Sequence, residues 1–310
     1  MDRREFIKIA TYASISTLVL PGCSSQKPLT QQTSELQTKQ AASGTVGELI
    51  IVEGNEPEQL LKRGFDTLGG IENFIKKGNT VVIKANFSVP RLPEEGCTTN
   101  PNLVAGLVKM CKAAGAKEVK VIDHPFNNPI ICLEKSGIKK AVTEVGGTVY
   151  ALNSSLERYF GTAKVNGKAL WEIDYSKDVL EADVFINMPI LKHNYATDVS
   201  IGLKNLMGLV WDRGYFHKSD LHLCIAELAA FKKPNLTIID AIRGITSNGP
   251  TGPGPVKDYN QIIFSTDPVA ADAYASTLFG KKPAKVDYIR LAAELGVGQL
   301  DWEKLNVKRV

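Results

Sequence analysis

Most of the short motifs that mark common chemistries are missing from this sequence. Of its five cysteines, Cys23, Cys97, Cys111, Cys132 and Cys224, no two stand in a Cys-x-x-Cys pair. That removes the ligand spacing of a zinc ribbon, a thioredoxin-like redox pair or an iron-sulfur cluster. Neither a Walker A loop nor a Gly-x-Gly-x-x-Gly turn occurs, so ATP hydrolysis and ordinary NAD chemistry have no motif behind them. The usual sign of a serine hydrolase, a Gly-x-Ser-x-Gly elbow, is absent as well. Blocks of like charge are also missing: 37 Lys and Arg against 33 Asp and Glu are spread along the 310 residues. Such a balance gives no nucleic-acid footprint and no charged tail. No apolar run reaches the roughly 20 residues that a membrane-crossing helix needs.

What is present begins at the N-terminus. Met1-Asp2-Arg3-Arg4-Glu5-Phe6-Ile7-Lys8 precedes an apolar stretch from Ile9 to Leu20, which Pro21-Gly22-Cys23 closes. A charged head, a short apolar middle and a small residue before the cut make a secretory leader. The arginine pair with Phe6, Ile7 and Lys8 resembles a twin-arginine export signal, and the last four residues resemble a lipobox with an unusual Pro21. The resemblance implies that the twin-arginine machinery is a partner and that Cys23 is lipidated. It also implies a location on the periplasmic or outer face of a bacterial envelope, with the lipid as the only membrane attachment. That route carries folded cargo, often with a cofactor inserted. Ser24 to Ala42 are rich in Ser, Gln and Thr and poor in large apolar residues, the composition of a flexible tether. The expected organisation is a signal peptide at 1–22, a lipid-anchored disordered linker at 23–46 and a domain at 47–310.

Within that domain short apolar runs alternate with helix-period segments, which predicts an α/β fold with a mostly parallel, doubly wound sheet. Strands are expected at Leu49 to Val52, Val81 to Ile83, Val119 to Ile122, Thr148 to Leu152, Val184 to Ile186, Leu236 to Ile239 and Gln261 to Phe264. Helices are expected at Gln59 to Leu68, Pro101 to Ala114, Lys139 to Val145, Leu203 to Leu209, Leu221 to Phe231 and Pro268 to Leu278. Pro101 suits a first helical turn and Gly115 a helix end. Residues 156–176 predict a small β-hairpin insertion with a tight turn at Asn166-Gly167.

In open α/β sheets ligands bind at the carboxyl ends of the strands. The residues at those ends are polar as a set: Lys84 and Asn86, Asp123 and His124, Asn187 with Lys192 and His193, and Asp240. Lysines and amides gathered there suit a small anionic molecule. Ligand-binding residues are therefore expected to be Lys84, Asn86, Lys192 and Asn205, with Asp123, Asp240 and the loop residues Asn248 and Gly249. His193 and Lys204 are the catalytic candidates. An imidazole titrates nearest working pH, and Asp240 or Asp123 would orient it. His193, His217 and His222 form a candidate metal set, although a spacing of five does not put the last two on one helical face. The cofactor is left open between none and a metal ion.

These same residues carry a family resemblance. Val82-Ile83-Lys84-Ala85-Asn86, Thr99-Asn100-Pro101, Ile186-Asn187-Met188-Pro189-Ile190-Leu191-Lys192-His193 and Gly202-Leu203-Lys204-Asn205-Leu206-Met207-Gly208 resemble the family known as domain of unknown function 362. So do Asp240-Ala241-Ile242, Asn248-Gly249-Pro250 and Thr266-Asp267-Pro268-Val269-Ala270-Ala271-Asp272. Many members carry ferredoxin-like cysteine clusters, which this chain lacks. A more distant likeness is to the nickel-pincer lactate racemases, with which His193 and Lys204 share their spacing. Two classes of function follow as expectations: an envelope enzyme or cofactor-dependent protein, and a lipid-tethered protein that captures an anion or metal without turning it over.

Overall fold

The computed structural model describes residues 47–153, 155 and 157–310. The twin-arginine leader, Cys23 and the tether expected up to residue 46 lie outside the described residues. The strands are β1 (Glu48–Glu53), β2 (Thr80–Lys84), β3 (Glu118–Asp123), β4 (Thr148–Ala151), β5 (Phe160–Lys164), β6 (Glu172–Ser176), β7 (Val184–Asn187), β8 (Lys192–Asn194), β9 (Asp198–Ser200), β10 (Leu236–Ile245), β11 (Val256–Ser265) and β12 (Asn306–Arg309). The helices are α1 (Pro57–Thr67), α2 (Pro101–Ala113), α3 (Pro129–Lys135), α4 (Ile138–Glu144), α5 (Lys177–Glu181), α6 (Gly202–Asn205), α7 (Arg213–Lys218), α8 (Leu221–Phe231), α9 (Pro268–Thr277) and α10 (Asp287–Glu294).

Eight strands form one sheet in the order β12-β1-β11-β10-β7-β2-β3-β4. All pairings are parallel except those of β11 with β1 and β10. β2 reads Thr-Val-Val-Ile-Lys and is buried from Val81 onward, as a β-branched run without polar alternation must be when both sheet faces are covered. Alternate side chains then enter opposite layers. Leu49, Ile51, Val82, Phe185 and Ile239 pack into the layer of α8, α9 and α10. Ile50, Val52, Ile83, Ile186 and Ile238 pack into the layer of α1, α2 and α4. The fold is thus the mostly parallel α/β sheet, covered on both faces, that the sequence pattern predicts.

From β2 the chain moves outward through β3 to β4, then returns to β7 on the other side of β2 and continues to β10. Strand order therefore reverses between β2 and β7, the crevice in which open α/β sheets hold ligands. Lys84 and Asn187, the last residues of those strands, are partners in register. Asn100 caps α2 by accepting from the Asn102 amide, with Pro101 in the first turn.

Several elements differ from expectation. The hairpin of β5 and β6 forms, its ladder running to Lys164 and Glu172 and its backbone bonds continuing from the Val165 amide to Trp171 O at 3.0 Å and from the Gly167 amide to Leu170 O at 2.8 Å, so the turn closes over 167–170 and is not a two-residue turn on Asn166-Gly167. The Glu227 carboxylate of α8 fixes that turn from outside, accepting from the Lys168 amide at 2.6 Å and the Leu170 amide at 2.7 Å. A second hairpin, β8 with β9, forms between β7 and α6, where no strand was expected. The helix expected over Leu203 to Leu209 divides into α6 and a 3₁₀ turn, Leu206–Leu209. β12 adds an edge strand beside β1. Cys97, Cys111, Cys132 and Cys224 are buried free thiols. Among the described residues no helix is long and apolar enough to cross a membrane.

Candidate anion site

β2 ends on Lys84, whose side chain is 0% exposed. Its ammonium meets Asp123 Oδ1, at the end of β3, at 2.7 Å. It also donates to Ala85 O at 2.7 Å and Asn205 Oδ1 at 3.0 Å, so all three of its protons have acceptors. Asp123 is equally committed, its Oδ2 accepting from the Phe87 amide and its Oδ1 from the His124 amide, each at 2.8 Å. Burial pushes the Lys84 ammonium below its ordinary range and Asp123 pulls it back.

Asn205, at the end of α6, ties the neighbouring strands together. Its Oδ1 also accepts from Asn86 Nδ2 at 2.9 Å, and its Nδ2 donates to Asn187 Oδ1 at 2.8 Å. α6 is held in turn by Asp272 of α9, whose carboxylate accepts the Gly202 and Leu203 amides at 2.8 and 2.9 Å.

Two further lysines reach the same place. Lys192 opens β8, is 1% exposed, and donates to Cys97 O at 2.6 Å and Asn86 Oδ1 at 3.1 Å. Lys204 is 8% exposed, and among the described residues its ammonium finds one hydrogen-bond acceptor, the Met207 thioether at 3.0 Å. Burial pushes Lys192 down to about 8. Burial, followed by the charges of Arg213 and Lys192, does the same to Lys204. Arg213 anchors through Nη1 to His124 O and through Nη2 to Pro125 O at 2.9 Å, and lies over the Phe126 ring at 4.8 Å.

Asn86, Ser88, Asp123, Lys192, Lys204 and Arg213 line a recess with about 30 Å³ of free space, room for roughly two waters. Among the described residues Lys192, Lys204 and Arg213 make no ion pair, and the carboxylate beside them, Asp123, is already taken by Lys84. The recess therefore carries a surplus of buried positive charge, in a shape too narrow for a nucleotide.

Residues 81–277 match the family model described as Domain of unknown function (DUF362). The chain belongs to that family. The matched span holds every residue that lines the recess, from Asn86 to Pro250. A thylakoid-associated protein of Synechocystis is 26% identical over 252 residues, covering 76% of this chain and 74% of its own length. The lactate racemase apoprotein of Thermoanaerobacterium thermosaccharolyticum aligns in structure with a TM-score of 0.51 at 14% identity, over 74% of this chain. This chain spans 56% of that structure, and the likeness shows a shared fold.

Six of the residues expected at a DUF362 site do converge: Lys84, Asn86, Asp123, Lys192, Lys204 and Asn205. His193 does not join them. Successive residues of a strand face opposite ways, so Lys192 and Asn194 line the recess while His193 turns aside, its Nδ1 accepting from the Gly249 amide at 3.1 Å. Neither expected carboxylate orients it. Asp123 holds Lys84, and Asp240 accepts the Asn100 and Ile242 amides at 2.8 and 3.1 Å. Burial pushes Asp240 up to about 6.

Asn248 bonds the Tyr195 hydroxyl at 2.6 Å and Pro253 O at 3.1 Å. Gly249 makes a close approach, but to protein: a Cβ there would stand 1.8 Å from His193 O. His217 is exposed on α7, and His222 on α8 stacks on Tyr288. Among the described residues no three His, Cys, Asp or Glu side chains converge on a metal position. His193, His217 and His222 therefore form no common ligand set. Sequence reasoning missed Arg213, Asp272 and Glu227. Arg213 stands among charged and polar neighbours like a solvated cation, whereas Asp272 and Glu227 are single acids in otherwise apolar helix runs, a signal of burial.

Proposed function

We propose that this protein binds a small oxyanion, a carboxylate or phosphate group, in the recess at the ends of β2, β3 and β8. One observation carries the reading: Lys192, Lys204 and Arg213 face a shared space without a carboxylate of their own. Burying uncompensated charge is costly, and an anionic ligand removes that cost by supplying the missing partner. Asn86, Ser88 and the recess-lining Asn194 add uncharged polar groups that fix the ligand's orientation. Acid-base work on such a ligand falls to Lys204 rather than His193, because Lys204 reaches the ligand and gives up its proton near pH 8.

The nickel-pincer reading would place His193, Lys204 and a further histidine around one group. The side chains do not fit it, since no histidine lines the recess. The N-terminal sequence supports placing the binding site outside the cell, tethered through lipid at Cys23 after twin-arginine export.

The test is thermal unfolding of the mature full-length protein with and without inorganic phosphate, beside Lys204→Met. Phosphate should raise the melting temperature of the wild type and leave the variant unmoved. Equal shifts in both would show that the ion acts elsewhere. Incubation with candidate ligands then separates capture from turnover, because a pure binding protein returns the ligand unchanged and in stoichiometric amount.

A further inference from the structure

The three lysines of the recess are not equivalent, and the difference lies in their acceptors. Lys84 gives its protons to a carboxylate, an amide oxygen and a backbone carbonyl. Lys192 gives two of its protons to Asn86 and the Cys97 carbonyl. The three acceptors of Lys84, one of them a carboxylate, hold its nitrogen as an ammonium, and the two acceptors of Lys192 engage two N–H groups of its nitrogen whether it is charged or neutral. Lys204 has a thioether at 3.0 Å and, among the described residues, no oxygen acceptor, and a thioether accepts only weakly. Arg213, Lys192 and the exposed His217 are the charged or titratable groups felt by Lys204, and none of them is an acid. Nothing in this arrangement favours the charged form. A buried lysine beside other cations is the setting in which an amine becomes a nucleophile.

Resting on the anion-site reading, we propose that Lys204 is a nucleophilic amine that forms an imine with a small 2-oxo acid. Arg213 and Lys192 hold the carboxylate of that ligand. The neutral Nζ attacks the ketone carbon, forming a C–N bond as the carbon-oxygen π bond breaks, and a proton passes from the nitrogen to the carbonyl oxygen to give the neutral carbinolamine. That hydroxyl then leaves as water, taking one proton from solvent, and the nitrogen lone pair completes the C=N bond of the iminium. No oxidant or reductant is needed. Phe126 and Pro250 are among the residues lining the recess, whose free space must widen as a six-atom ligand enters, and the lowered proton affinity of Lys204 supplies the free amine near neutral pH.

The experiment is reductive trapping. Mature full-length protein is incubated with pyruvate and sodium borohydride, digested and mapped by mass spectrometry. The expected result is an N-(1-carboxyethyl) group on Lys204, absent from Lys84 and Lys192, and suppressed when phosphate is present. Lys204→Arg keeps the charge but cannot form an imine, so it should still be stabilised by pyruvate while losing the adduct. Mapping the wild type needs no variant to fold. An adduct distributed over exposed lysines, or no adduct while phosphate still raises the melting temperature, overturns the imine and leaves the anion site standing. Failure of both pyruvate and phosphate to bind overturns both.

Discussion

Lys204 and Asp123 line the same recess and behave oppositely as residues. Asp123 closes a buried ion pair and accepts two backbone amides. Asp123→Ala strands the Lys84 ammonium without its charge partner and should cost about 3–5 kcal/mol, measurable by urea unfolding. Lys204 makes no comparable interaction. Lys204→Met should therefore stabilise the ligand-free protein by about 1–3 kcal/mol while removing anion binding. A residue whose removal strengthens the fold and empties the site is there for the ligand. Part of this was legible from sequence. Residues that end buried strands are positioned by the strand, and Lys84 and Asp123 follow that rule, whereas Lys192 opens β8. His193 was misplaced because a three-residue strand, β8, imposes an alternation that the surrounding motif does not display.

At the scale of elements, the site depends on short pieces pressed against strand ends. The 3₁₀ turn after α6 passes so close to the ion pair that a Cβ on Gly208 would lie 2.4 Å from Asp123 Oδ1 and 2.6 Å from Lys84 Cε. Gly208→Ala should displace that pair, costing about 1–3 kcal/mol and weakening anion binding together, as paired calorimetry would show. The turn of the β5–β6 hairpin closes through its own backbone bonds and is docked on α8 by Glu227. Glu227→Ala leaves the Lys168, Ala169 and Leu170 amides without partners and should cost about 1–3 kcal/mol. Hydrogen exchange at those three amides should speed up first. Apolar runs such as Val81 to Ile83 were readable as strands because they are covered on both faces. Strand direction was not: an apolar run carries no mark of which way it points, so the reversed β11 and the added β12 appear only in the tertiary structure.

For the whole molecule, the buried lysines link stability, ligand and pH. Lys192 and Lys204 titrate near 8 in the folded chain against 10.5 for the free side chain. Between those values the unfolded chain binds more protons, so stability rises with pH there. The cost of each ammonium is fully present below pH 8 and relieved by pH 10.5. The stability advantage of Lys204→Met should accordingly shrink across that window in denaturant titrations. Anion binding must run the other way, since it needs the charges that alkaline pH removes. Isothermal titration of sulfate, an anion that does not itself titrate in this range, tests this most directly. The account expects one-site binding at pH 7 that weakens by at least about tenfold at pH 9.5 and vanishes in Lys204→Met. Binding unchanged by pH and by that substitution, or no binding at pH 7, would contradict it.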